Sequence, residues 1–305
     1  MTLDRLLESQ SYVLMEAAIN ETLRRRKDVD LHPRLSNALM IYDEPGRNVL
    51  SSIYRGYISV AECADVPILM CAPTWRANRE RVEEADIDRN VNRDAVLFMK
   101  ELRQCHGHWS DNILVGGLMG CRNDCYKPDE GLSTEEARFF HAWQVEKLAR
   151  AGVDFIMAAT LPSLSEALGM AHALSKTDKP YLISFVINRH GQVLDGSPLD
   201  MACDAIDSSC QHPPLGFMVN CAHPSFLIPH EQKKTLFNRL IGYQANASSL
   251  DHSELDNAET LKVDDVSQWG DSMISLNRRY GVKILGGCCG TGRQHLQYIV
   301  DRINI

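Results

Sequence analysis

Eight short apolar runs recur along 305 residues, and stretches of helical periodicity separate most of them. They cover residues 12–15, 66–71, 113–117, 153–157, 181–186, 215–220, 240–245 and 282–285. Apolar runs of about four to eight residues bounded by turn residues read as strands buried on both faces. Between them, Val49, Ile53, Tyr57 and Val60 repeat at helical spacing, and so do Val91, Phe98 and Leu102 within the charged span 77–106, which reads as one long helix or two. A third helix is expected from Ser133-Thr134-Glu135-Glu136, an N-terminal capping signature, to residue 151, where Gly152 stops it. Further helices are expected over 1–11, 163–175, 199–209, 231–238, 263–280 and 294–303, with polar loops over 121–132 and 246–260. Strands alternating with helices require a parallel sheet. Eight such units in a chain of this length favour a closed (β/α)8 TIM barrel over an open, doubly wound sheet. No linker or change of composition divides the chain, so a single domain is expected over 1–305.

Composition excludes several partner classes. Hydrophobic residues make up 44% and charged residues 24%, the balance of a globular chain. A net charge of -8 and the lack of a basic stripe argue against a nucleic-acid partner. No apolar run approaches the ~18 residues that span a bilayer, so no membrane partner is expected. The first ten residues are too polar for a secretory signal. The ten cysteines are therefore expected to be reduced, in a cytoplasmic protein. Self-association is left open.

A barrel of this kind carries its active site on the loops that follow its strands. Two such positions hold thiols. The sixth strand ends in Asn220-Cys221-Ala222-His223-Pro224, and the eighth runs into Gly286-Gly287-Cys288-Cys289-Gly290-Thr291. Adjacent cysteines rarely bridge to each other, because so small a ring is strained. Two thiolates on one turn make better sense as ligands of a soft or borderline metal. Glycines on both sides let that backbone turn sharply and let a ligand come close.

Together these two stretches resemble the homocysteine S-methyltransferase family, which includes the betaine– and S-methylmethionine–homocysteine enzymes. The resemblance covers nearly the whole chain and implies three zinc-binding thiolates, Cys221, Cys288 and Cys289. It also implies a Zn²⁺ cofactor, a small-molecule thiol acceptor such as homocysteine, and a small onium methyl donor. Zinc makes chemical sense here. A free thiol is mostly protonated at neutral pH, and coordination deprotonates it. Three protein thiolates leave one tetrahedral corner for the acceptor. In-line displacement on a methyl-onium carbon then needs no protein nucleophile.

Three strand ends depart from the family's pattern. The Asp-Gly-rich turn after the first strand is replaced by Glu16-Ala17-Ala18-Ile19-Asn20-Glu21, which keeps a carboxylate but no glycine. The Glu-Thr after the fourth strand is Ala159-Thr160, and the Gly-Pro-type turn after the third is Gly120-Cys121-Arg122. The metal half of the chemistry therefore looks intact, while recognition of the acceptor's amino-acid end looks altered. Glu16, Thr74, Ser184 and Asn220 stand at strand ends and are expected to bind substrate, with Asn220 also supporting Cys221. Trp75 can offer its ring to a methyl-onium donor, although packing is the plainer role. Cys105-His106-Gly107-His108 and the pair Cys121 and Cys125 are secondary metal or redox candidates, and Arg24, Arg25 and Arg26 read as a solvated face. Competing readings are a metal-binding barrel without catalysis and a redox or hydrolytic enzyme using Cys288. The last lacks an evident general base.

Overall fold

The computed structural model describes residues 2–251, 254 and 262–305. Its eight strands are β1 (Val13–Met15), β2 (Ile68–Cys71), β3 (Ile113–Met119), β4 (Phe155–Leu161), β5 (Tyr181–Phe185), β6 (Gly216–Asn220), β7 (Leu240–Ala245) and β8 (Ile284–Gly287). Each pairs in parallel with its neighbour in sequence. The barrel closes where Val13 of β1 stands opposite Ile284 of β8. This is the expected (β/α)8 barrel.

Alternate residues along the strands point to opposite faces and fill two layers. Val13, Met15, Leu69, Cys71, Leu114, Phe155, Met157, Leu182, Met218 and Ile284 form the interior. Leu3 and Leu6 of α1 (Leu3–Ser9) join that cluster and close the barrel at the N-terminal ends of its strands. Gly116 makes room inside: a Cβ there would lie 2.4 Å from the Phe155 ring. Fully burying a side chain like Phe155 contributes roughly 1.5–3 kcal/mol. The intervening residues, among them Leu14, Ile68, Met70, Ile156 and Ile183, pack outward.

The outer ring holds α3 (Glu44–Cys63), α5 (Val91–Gln104), α6 (Thr134–Arg150), α7 (Leu164–Leu174), α8 (Leu199–Ser209), α9 (Val266–Tyr280) and α10 (Arg293–Arg302). Short helices α2 (Asn20–Arg24) and α4 (Arg79–Glu84) lie in the loops after β1 and β2. The expected capping box is present: Ser133 Oγ accepts from Glu136 N, and the Glu136 carboxylate accepts from Ser133 N.

The span 77–106, expected as one long helix or two, divides into α4 and α5. Several other boundaries differ from expectation. The helix expected over 231–238 is a 3-10 turn, Lys234–Asn238, in which only Leu236 is buried. That span has too few apolar residues to make a helical face. Helix α9 starts at Val266, because the Asp265 carboxylate caps Ser267 N and Gln268 N. The loop expected over 246–260 lies partly outside the described residues. β4 runs past Met157 to Leu161 through an irregularity between Ala158 and Leu161. Ala159 and Thr160 thus belong to the strand rather than to the turn after it.

Candidate active site and metal centre

The C-terminal ends of the strands open on a cavity of about 430 Å³. Cys221, Cys288 and Cys289 lie on its wall, with their sulfurs all within 4.8 Å of one another. Among the described residues they are the one group of three or more metal-capable side chains brought together.

Backbone bonds fix that convergence. Cys221 N donates to Gln244 O at 3.2 Å and Cys288 N to Ala245 O at 2.7 Å, so both thiol turns hang on the end of β7. Asn246, just beyond β7, ties them together. Its Nδ2 donates to Cys221 O at 2.9 Å, and its Oδ1 accepts from Cys289 N at 3.1 Å. Thr291 Oγ1 donates to Cys288 O at 2.6 Å, and Gly290 N donates to the Glu21 carboxylate. Gly290 has a φ of +80°, a conformation that glycine adopts without steric penalty. Cys221 also has a positive φ, +54°, which costs energy in a residue with a Cβ and aims its thiol at the other two.

Asn220 joins the sulfurs to the opposite wall. Its Nδ2 donates to Cys221 Sγ at 3.2 Å, while its Oδ1 accepts from Thr160 N at 2.9 Å and Ser184 Oγ at 2.7 Å. Bonding to the Cys288 and Cys289 sulfurs, together with burial, pushes the Cys221 thiol up. Bonds from the Cys221 and Cys288 thiols hold Cys289 well below the usual range, with Arg24 adding to the effect. The trio by itself therefore favours one thiolate shared by two thiols. Three thiolates need a cation among them. The donor set, all sulfur with no carboxylate or imidazole, suits Zn²⁺ or another soft to borderline ion.

The far wall belongs to β1, β2 and β4. Glu16 is buried there, and Cys71 N donates to its carboxylate at 2.7 Å. Burial pushes the Glu16 carboxyl up to about 8. Ala159 lines the cavity without offering a polar group. Thr160, at φ +58°, donates its hydroxyl to Ala159 O and accepts Trp75 Nε1–H at 2.8 Å. Trp75 lines the cavity, with the Arg76 guanidinium 4.0 Å from its ring centroid.

Glu16 and Asn220 thus line the cavity, whereas Thr74 and Ser184 are fully buried and lie off its wall. Thr74 Oγ1 donates to Leu118 O at 2.8 Å and accepts from Leu118 N at 3.0 Å, joining the ends of β2 and β3. Ser184 reaches the site only through Asn220. Cys125 lines the cavity but Cys121 does not. The His106 ring pairs with Glu62 at 2.9 Å and Cys105 is exposed, both away from the cavity. Arg24, Arg25 and Arg26 are all exposed, as expected of a solvated face; Arg26 pairs with Asp28, and Arg24 and Arg25 also line the cavity. The site residues missed in the sequence are Asn246, Arg24 and Tyr126, the last also on the wall. The place of Asn246 in the sequence is a signal, because it directly follows the strand between the two that carry thiols.

Fold and site define a (β/α)8 barrel enzyme with three converging thiols at the catalytic mouth. The chain matches the homocysteine S-methyltransferase family over residues 13–303 and belongs to it, a family of thiol methyltransferases. It is 24% identical to homocysteine S-methyltransferase YbgG of Bacillus subtilis (strain 168), over 97% of this chain and 96% of that one. It is 26% identical to the selenocysteine Se-methyltransferase of Brassica oleracea var. italica, over 94% and 84%. The fold resembles the metallated form of the homocysteine methyltransferase MmuM from Escherichia coli, with a TM-score of 0.75 and 18% identity over 98% of both chains.

Proposed function

We propose that this protein moves a methyl group from a small onium donor to a thiol such as homocysteine, at a Zn²⁺ held by Cys221, Cys288 and Cys289. The observation that carries this reading is the convergence of three thiols on the wall of an otherwise open cavity. When bound, zinc supplies a positive centre that holds the acceptor sulfur as a thiolate near neutral pH. In the transfer the acceptor loses its proton and gains an S–CH3 bond. The donor's bond to that methyl breaks, and the donor leaves as a neutral sulfide or amine.

The chain's own residues position and shield that exchange. Asn220 directs an N–H at Cys221 Sγ and stabilises negative charge there. Asn246 sets the separation of the two thiol turns. Glu16 offers the substrate a carboxyl from the far wall of the cavity, and Trp75 and Tyr126 help exclude water. Thr74 and Ser184 act as positioning residues, the first holding the β2 end and the second orienting Asn220. The chain acts as one barrel domain. A cytoplasmic setting agrees with all ten cysteines being unpaired. Among the described residues no helix is long and apolar enough to cross a membrane.

The test is a mass-detected screen of thiol acceptors against sulfonium and quaternary ammonium donors, run beside metal analysis. About one zinc per chain and a methylated thiol are expected. Full zinc loading with no methylated product from any pair overturns the proposal.

A further inference from the structure

The cavity wall carries its charges unevenly. Among the described residues two carboxylates line it, Glu16 and Glu21. Glu21 is engaged, because Arg25 Nε lies 2.7 Å from one oxygen and Gly290 N donates to the other. Glu16 already accepts Cys71 N–H and is held largely protonated at pH 7 by its burial. Neither is a free negative charge waiting for an ammonium group.

The cations are placed differently. Arg24 stands at the end of α2 on the same wall as Cys289 and Gly290. Its guanidinium makes no hydrogen bond or ion pair among the described residues, and its helix is tied to the thiol turn through Glu21, which accepts Gly290 N–H. Lys262 adds a second exposed cation on the wall. A free guanidinium beside a sulfur centre suits a carboxylate that belongs to the same small molecule as the thiol, since the planar fork can bind both oxygens.

We propose that the acceptor is a mercapto acid anchored through its carboxylate by Arg24, with no requirement for an amino group. The proposal rests on the thiol-methylation reading and narrows it to a substrate class.

Three acceptors of similar length separate the possibilities: 4-mercaptobutyrate, homocysteine and 3-mercaptopropylamine. They carry the same thiol with a carboxylate alone, with both groups, and with the amine alone. Binding is measured by calorimetry on the full chain, with and without added zinc, beside the transfer assay. The expected order places 4-mercaptobutyrate at least level with homocysteine and the amine about tenfold weaker or worse. Arg24→Gln is expected to weaken both acids by about tenfold and leave the amine unchanged. Glu16→Gln, which keeps a neutral group of similar shape, is expected to preserve that order. Binding of the amine within about threefold of 4-mercaptobutyrate overturns the proposal. So does an Arg24→Gln variant that binds all three like the parent, or a Glu16→Gln variant that selectively loses homocysteine. If the binding order holds while no acceptor is methylated, the carboxylate site stands and the methyl-transfer reading falls.

Discussion

The two sides of the barrel mouth are built by different means. On the β6–β8 side, backbone bonds to Gln244 and Ala245 and the amide of Asn246 hold the turns that carry the thiols. On the β1–β4 side, side chains form the wall: Glu16 with a single backbone donor, Ala159 with no polar group, and Trp75 leaning on Thr160. A three-sulfur site works only within narrow distances, so its position is set by main chain that substitution barely alters. Recognition is set by side chains that can be exchanged while the strands beneath them persist. One mouth can therefore keep its chemistry and change its substrate.

The sharpest way to break this comparison is on the thiol side. Cys288→Ser replaces a soft donor with a hydroxyl and is expected to drop zinc content from about one per chain to about a tenth or less. Methyl transfer should fall by about a thousandfold or more, since removing a residue that acts within a unit removes the unit's function. Circular dichroism should be unchanged, because the barrel does not depend on this side chain. A folded Cys288→Ser protein with full zinc and turnover would remove the three-thiol centre from the account.

Glu16→Gln probes the other side through pH. The folded-state carboxyl stays protonated to about pH 8, whereas in the unfolded chain it ionises near the ordinary glutamate value. Between those values the native state binds more protons, so this group makes stability fall as pH rises, and the slope ends above about 8. Burial also raises the neighbouring Cys71, Tyr54 and Tyr57, which stay neutral throughout that window. Urea unfolding of parent and variant at matched zinc should diverge by a few kcal/mol from pH 5 to pH 8.5, with the variant relatively more stable at high pH. Parallel curves for the two proteins would show that Glu16 is charged in the fold.

Asn246→Ala returns to the thiol side with a smaller effect. It deletes both tethers between the turns while sparing all three ligands. Zinc affinity, measured by chelator competition, should fall by about 10- to 100-fold. Unchanged affinity would mean that the β7 backbone alone positions the sulfurs.

The sequence made the thiol side easier to read than the opposite wall, and the reason is physical. Thiols are rare residues, and strand ends in a barrel must share a face, so the turns carrying Cys221, Cys288 and Cys289 read as neighbours, and the family resemblance implied the three as one ligand set. The strands themselves were legible because inward residues such as Val13 and Leu69 and outward ones such as Leu14 and Ile68 are all buried. Recognition residues carry no such pattern. Arg24 reads like its neighbour Arg26 in sequence and both are exposed, yet Arg24 lines the cavity while Arg26 pairs with Asp28. Thr74 and Ser184 sit at strand ends as expected, but their hydroxyls turn into the sheet, a choice set by neighbours distant in sequence, Leu118 and Asn220. The extension of β4 was also hidden. Ala159-Thr160 contains no glycine to announce a positive φ, and the partners that accompany it, Asn220 at the end of β6 and Trp75 in the loop after β2, are distant in sequence.

Those partners give the smallest effect and the finest test of the division. Trp75→Phe keeps an aromatic wall but removes the indole N–H that meets Thr160 Oγ1 at 2.8 Å. Losing one such bond should cost about 1 kcal/mol of stability. Thr160 N remains held by Asn220, so the β4 irregularity should survive. The expected outcome is a rise of about two- to fivefold in the KM for donor or acceptor, with zinc stoichiometry and affinity equal to the parent's. Zinc binding weakened along with KM would mean that Asn220 transmits strain from Thr160 to Cys221. The two sides of the mouth would then be one mechanical unit rather than two.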